Sequence, residues 1–562
     1  MKRLVSFKLD LEHKIAIVHN NKATRVYNYG TPNWTQFERV MADKDIDKVC
    51  HDNLEDVMIL NTMWGMSLGG DFHDTVTRMT YIDEYADLSL KGCCKRFNIP
   101  LEDESLESVC KATYLLYMAQ EVAMTFPPAY SVDVKLVKLV AQMNKLGVRI
   151  DLAAKEKLQA DVEQSYYGVV EKLEEFGITP EIVNSSKQLG FALNTLGIHS
   201  PMKTATGAES WADDALMRLL QYPVICMIKE FKTYDVLLHR FLCGSLATGI
   251  SADGRIHCKF TPNKREQSGA ITGRFSSSNP NLQNIPARDK SFGIPYAQRM
   301  RELFLPEENH WFCALDYSQI EYLLLCHFAT GSQAQWLVEQ ALAGVDFHNA
   351  AMQMTGITSR DAVKPFNYGA IYGMGWVTAL NKNYRLFSQL AKDSGEDVND
   401  YAKKVFDTYH AKLPVIRDTM RSVQNEAVKQ GYVLTLGGRK QHLPPAVYNP
   451  KTGKEERPLY KMLSKKIQGS AADVLKFAMC EAYEKGLFDV LPLHLTVHDE
   501  LDFSVPKTKE GWEATKEVQQ IMNKSFEDVL KVPMRACGTI GYTWGYWEAD
   551  IWNDLCRGKG LC

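Results

Sequence analysis

The stretch WFCALDYSQIEYLLLCHFA, residues 311–329, decides how this chain is read. Its apolar run reaches Leu315, stops at Asp316 and gives way near Ser318 to helical spacing, which puts a carboxylate at a strand end. A second stretch, LPLHLTVHDELDFSV at 491–505, holds His498, Asp499 and Glu500 between two alternating apolar runs, as the turn of a hairpin does. Hard oxygen ligands delivered from two separate elements suit Mg2+, which takes a few carboxylates and completes its shell with water and phosphate. Two such ions can stabilise both the attacking and the leaving oxygen of an in-line phosphoryl displacement. Each stretch alone also reads as a solvated acidic turn, and a third one shifts the balance.

That third stretch, SRDAVKPFNYGAIYGMG at 359–375, spaces Arg360, Lys364, Tyr368 and Tyr372 so that on a helix they form one stripe of two cations followed by two aromatics. Such a face suits a nucleotide. The cations can meet a triphosphate, Lys364 can also give a proton to departing pyrophosphate, and the rings can pack on sugar and base. The bland alternative is the solvated basic end of a core helix. Pro365 sits inside the stripe and removes a helix hydrogen bond, so the helix is expected to kink there or to begin late.

The 562 residues are too many for one ordinary core, and 45% hydrophobic with 24% charged residues argue for folded structure throughout. A net charge of -3 excludes a strongly basic footprint, so contacts with nucleic acid have to come from local clusters facing a cleft. The cysteines lack zinc-site spacing; adjacent Cys93 and Cys94 and the tail pair Cys556 and Cys562 stand out and read as reduced thiols. The charged, alternating start and the lack of an apolar run of about 20 residues point to a soluble, cytoplasmic protein with no membrane partner. Arg3 to Tyr29 alternates as a strand meander opening an α/β unit. The prolines of FPPAY at 126–130 mark a boundary, and VKLVKLVAQMNKLGVRID at 134–151 begins a new amphipathic helix. Helical spacing dominates to about residue 245, and from 254 onward short strands, glycine-rich turns and long helices mix.

DYSQIE, RxxxKxxNYGxxYG and VHDEL stand in the order and at the distances of motifs A, B and C of family A DNA polymerases, and the chain resembles that family. The likeness extends to TGRFSSSNPNLQNIP (272–286), DFH (346–348), LGGRKQHLP (436–444) and QGSAADVLK (468–476). It implies an α/β multidomain chain: a ribonuclease H-like 3′-5′ exonuclease-type domain over 1–128, then a right-hand polymerase domain over 129–562. Within the latter the thumb would span about 131–260, the palm about 261–340 and 435–562, and the fingers about 341–434.

The implied activity is template-directed addition of dNTPs to the primer of a primer-template DNA. By the same resemblance Asp316 and Asp499, with the backbone carbonyl of Tyr317, hold two Mg2+ ions, for which Mn2+ can substitute. Arg360, Lys364 and His348 contact the triphosphate, Gln319 and Tyr368 belong to the nucleotide site, and Glu321 is the steric gate against a ribose 2′-hydroxyl. Tyr372 holds the template position, Arg274 and Gln468 read minor-groove acceptors, Asn284 contacts DNA, and His498 and Glu500 support the primer terminus and metal site. Tyr368, where members carry Phe or Tyr, implies acceptance of dideoxynucleotides. Three departures imply fewer primer-template contacts: Tyr322-Leu323 for the usual Leu-Arg, Thr496 for Gln, and Tyr460 and Ser464 for Arg and Asn. A single-subunit RNA polymerase and a retired DNA-binding scaffold are the alternatives; Glu321 and the proofreading-like domain argue against the first, and retention of Asp316, Asp499 and Lys364 against the second. With the proofreading-like unit beginning near residue 3, the expected setting is a compact bacteriophage replicative enzyme acting as a monomer.

Residues 1–128 resemble the proofreading domain of the family more weakly, through HDNLEDVMIL (51–60) and YIDEYADLSLKGCCKRF (81–97). That chemistry uses a D-x-E pair, a later Asp and an Asp in a Y-x-x-x-D helix, again holding two metals. Asp10 and Glu12 have the first spacing and Asp56 matches the second, but Val109 stands where the last acid is expected. A degenerate exonuclease, kept for structure or for holding single strand, is therefore implied.

Overall fold

The alternation at the start of the chain folds as three antiparallel strands, Arg3–Asp10, Ile15–His19 and Thr24–Asn28. Arg3–Asp10 then pairs in parallel with Ile46–Cys50, and that strand in parallel with Phe72–Asp74. A meander extended by parallel strands is the ribonuclease H-like unit expected from the sequence. Val5, Phe7 and Leu9 bury one face of the first strand, while on the other Ser6 Oγ donates to the Cys110 carbonyl of helix Leu106–Ala123 at 2.7 Å. Cys93 and Cys94 pack in a small core with Val76, Met79 and Leu116. The computed structural model describes residues 3–286 and 296–545 apart from positions 63, 205, 356, 358, 359, 450 and 451, so Cys556 and Cys562 lie outside the described residues. Among the described residues no helix is long and apolar enough to cross a membrane.

Helix Leu106–Ala123 ends ahead of the two prolines, and the next helix starts at Pro128, where a missing N–H breaks no helical bond. Pro128–Leu146 packs against Asn53–Thr62 on one side and the long helix Lys461–Glu484 on the other, so it joins the N-terminal unit to the rest. Buried charges fasten this joint. Asp133, 1% exposed, accepts from Arg439 Nη2 at 2.9 Å, Lys476 Nζ at 2.8 Å and Tyr81 Oη at 2.7 Å. Glu84 accepts from His442 and Lys465, and Arg265 pairs with Asp74.

Burial would raise the Asp133 carboxyl, but Arg439 and Lys476 outweigh it and hold the group below the usual range. Asp133→Asn removes the charge that both buried cations face, and is expected to lower the free energy of unfolding by about 3–5 kcal/mol, read as a lower urea midpoint. An unchanged midpoint would refute this role. Because the native value is depressed, the contribution is present above the unfolded value of about 4 and is lost as pH falls through the native one.

The central sheet is antiparallel throughout, ordered Leu493–Val497, Glu500–Pro506, His310–Tyr317, Ala536–Gly541. Helix Lys509–Lys524 packs on it, and Lys461–Glu484 packs against that helix. On one flank Leu152–Glu174 pairs with Pro223–Asp235, which continues as a π-helical stretch over Val236–Ser245. On the other stands a helical cluster from Phe347–Thr355 to Pro414–Gln430. These are the thumb, palm and fingers of a right hand.

Candidate active site

Two strand ends make the floor of the site. His310–Tyr317 carries Asp316 as its last residue but one, and Gln319, at φ 54°, turns the chain into helix Ile320–Phe328. The neighbouring hairpin turns through His498 and Asp499, with His498 at φ 61° and Val497 opposite Glu500. Because Asp316 also lies opposite Glu500, and Tyr317 N donates to the Asp499 carbonyl at 3.3 Å, the register brings Asp316, Asp499 and Glu500 to one place. The Tyr317 ring is buried, its hydroxyl donating to the Met522 carbonyl at 2.9 Å, so it is the main chain that this residue offers the cleft. Asp316 itself opens to solvent, at the rim of a cavity of about 410 Å³ shared with Gln319, Glu321, His348, His498 and Asp499.

The electrostatics of this floor ask for cations. Crowding by protein atoms, then the Glu500 and Asp499 charges, push the Asp316 carboxyl up to about 7. Burial raises Asp499 as well, although Arg274 partly offsets it. A concentration of hard oxygen donors with too little positive charge fits divalent metal ions of the Mg2+ type.

Arg274 supplies part of the missing charge: its Nη2 donates to Glu321 Oε1 at 3.0 Å and lies 3.3 Å from both Asp499 oxygens. Tyr372 donates its hydroxyl to Glu321 at 2.9 Å, and Gln468 Nε2 donates to that hydroxyl at 3.1 Å. Asp499, Arg274, Glu321, Tyr372 and Gln468 thus form one hydrogen-bonded chain along the cleft. Thr496, a departure noted in the sequence, is fully buried, and its carbonyl accepts from Gln283 at 2.9 Å. Tyr322 is also buried, stacked on Phe347 with ring centroids 4.4 Å apart.

Helix Arg360–Ile371 runs through Pro365 from Arg360 onward, so the late start expected from the proline does not occur. Tyr372 leaves the stripe: it follows the last helical residue, where Gly373 takes φ 66°, and it faces Glu321 instead. Arg360 is exposed, with Nη2 3.3 Å from Asp346, and Lys364 is half-buried. Burial lowers the His348 imidazole; the Asp346 carboxylate opposes this, and the charges of Arg360 and Lys364 add to the lowering. Asn367 Nδ2 lies 2.9 Å from His348 Nδ1; as donor there it puts the proton of the neutral ring on Nε2. The side chain of Tyr368 lies outside the described residues. Asn284 is not at this floor; it lines a separate cavity of about 430 Å³ with Arg240, Phe241 and Asn279 at the thumb base.

A family model for DNA polymerase family A matches residues 153–546. The chain belongs to DNA polymerase family A. Over 435 residues it is 33% identical to DNA polymerase I of Streptococcus pneumoniae, covering 74% of this chain and 46% of that protein. Over 508 residues it is 28% identical to the thermostable DNA polymerase I of Thermus filiformis, covering 87% and 57%. The chain spans about half the length of the curated relatives it matches. Its fold is similar to the POL domain of Pol1 from M. smegmatis, solved in complex with DNA primer-template and dNTP: TM-score 0.78, 24% identity, covering 96% of this chain and 95% of that one.

Among the acids expected in the N-terminal unit of this family A chain, Asp10 and Asp56 meet different side chains. Asp10 ends its strand bonded to His13, Glu12 is exposed in the turn, and neither partners Asp56. Asp56 is buried with Lys8 Nζ 3.3 Å away, and burial, only partly offset by Lys8, pushes it up to about 6. On the last helix it is Cys110, beside Val109, that faces the strand through Ser6. Pattern reading missed Lys8, because a strand lysine carries no motif. It also missed Arg301, which lines the Asp316 cavity with its guanidinium 4.0 Å from the Trp544 ring centroid. Asn367, which orients His348, lay inside a quoted motif, and only the contact reveals its role.

Proposed function

We propose that this chain extends the primer strand of a primer-template DNA with deoxynucleoside triphosphates, under direction of the template. The observation that carries this reading is the meeting of Asp316 and Asp499 at adjoining strand ends, with both carboxyls raised by burial and crowding. Those two carboxylates and the Tyr317 carbonyl would hold two Mg2+ ions, with Mn2+ able to substitute. When bound, such ions stabilise the attacking 3′-oxygen and the leaving pyrophosphate. Arg360 and His348 bind the triphosphate, and Lys364 binds it and protonates the departing pyrophosphate. Gln319 accepts from Phe347 N at 3.2 Å and so ties the end of the catalytic strand to the helix that carries His348. Arg274 and Gln468 exchange their partners in the Glu321 chain for minor-groove acceptors when DNA arrives, and His498 and Glu500 back the primer terminus. Extension of a labelled primer in Mg2+, with products that change when the template sequence changes, tests the reading; absence of templated products sinks it.

Glu321 is the steric gate, braced by Tyr372 and Arg274 against the place of a 2′-hydroxyl. Glu321→Ala is expected to weaken discrimination against ribonucleotides by roughly 10- to 200-fold, the range for misfit of a small group in a pocket. Competition between rNTP and dNTP measures it, and an unchanged ratio refutes the gate.

The N-terminal unit is inactive as an exonuclease, with Lys8 neutralising Asp56 in place of a metal. A primer with a 3′ mismatch, held in Mg2+ without dNTPs, is expected to keep its length. Shortening that Asp56→Ala abolishes would show a working proofreader.

A further inference from the structure

The thumb and the fingers are in direct contact. Arg218, just beyond the short thumb helix Asp213–Leu216, donates from Nη2 to Asn381 Oδ1 at 2.5 Å, and its guanidinium carbon lies 4.7 Å from the centre of the Tyr384 ring. Asn381 belongs to the fingers helix Trp376–Lys382, and Tyr384 opens the next, Tyr384–Ser394. The contact holds a long, flexible cation by both a hydrogen bond and a ring face. Beside it the two regions enclose a cavity of about 640 Å³ whose lining includes Arg218, Arg385 and Lys392 and no carboxylate. In a chain of net charge -3, such a concentration of cations on one bridge suits a polyanion running beneath it.

Thumb and palm are already joined at the thumb base, and palm and fingers around the Asp316 cavity. We propose that the Arg218 contact is a latch that closes the third side, so that thumb, palm and fingers form a ring around bound primer-template. This rests on the reading of the chain as a DNA polymerase. A closed ring confines DNA by topology as well as by contacts, and a complex on DNA without ends then dissociates only as fast as the latch opens.

The double variant Arg218→Cys with Asn381→Cys, loaded on a primed circular single strand and joined by a short bismaleimide, tests the latch. Arg218→Cys alone and Asn381→Cys alone control for the native thiols, among them exposed Cys243 and Cys537 and, in the cavity lining, Cys226. If the latch exists, cross-linked protein stays on the circle through a high-salt wash and leaves the same DNA once it is linearised. Failure of the cross-link to form, or equal loss from circle and linear DNA, overturns it. Primer extension by the unlinked double variant reports separately on the active site, so a failed latch and a failed polymerase reading give different results. In the otherwise unaltered chain, Arg218→Ala is expected to shorten the tract copied per binding event by roughly fivefold; an unchanged tract counts against the proposal.

Discussion

Replacing Asp499 with asparagine is expected to slow templated nucleotide addition by about 10³-fold or more, the scale on which removal of one preorganised charge-stabilising group acts. Asparagine preserves the hairpin turn, since the contact that ties this turn to the motif A strand uses the Asp499 carbonyl and Tyr317 N. What is lost is one of the two carboxylates proposed to hold divalent ions, while Arg274 keeps Glu321 as its anion. Rapid-quench measurement of a single addition separates this loss from slower product release. A rate within tenfold of the parent chain would remove Asp499 from the metal site.

Lys364→Arg and Lys364→Ala form the second test, with an expected fall in kcat of roughly 10²- to 10⁴-fold if this side chain is the general acid. Arginine keeps the positive charge but does not release a proton in the working pH range, so its KM for dNTP should stay near that of the parent while kcat falls. Alanine should raise KM as well, because the triphosphate loses a cation. Val363 and Phe366 anchor the helix in the core on either side of Lys364, so neither substitution has to move it. A full rate for the arginine variant would reduce Lys364 to a binding residue.

Much of this was legible beforehand because the signals are local. Alternation over Arg3–Asp10 and Ile15–His19 predicts paired strands, and the observed meander follows. Apolar runs that stop at Asp316 and restart after Asp499 place both acids at strand ends, because strand periodicity needs only neighbouring residues. The same locality limits what spacing can tell. Four-residue spacing placed Tyr372 on the helix, whereas Gly373 ends the helix one residue earlier, and a glycine is free to adopt that turn or not as the surrounding packing requires. D-x-E spacing picks out Asp10 and Glu12 and carries no hint that Lys8 meets Asp56 across the fold.

By itself, then, the sequence determined the strand ends, the order of the motifs, the cation stripe of Arg360 and Lys364, and the family. The tertiary structure alone decided which distant groups meet: Arg274 with Asp499, Tyr372 with Gln468, Lys476 with Asp133, and Arg218 with Asn381. The reason is physical. Periodicity reports which residues share a face of one element, whereas contacts between elements arise only when the chain closes and buried charges must find partners, a condition that no stretch of neighbours contains.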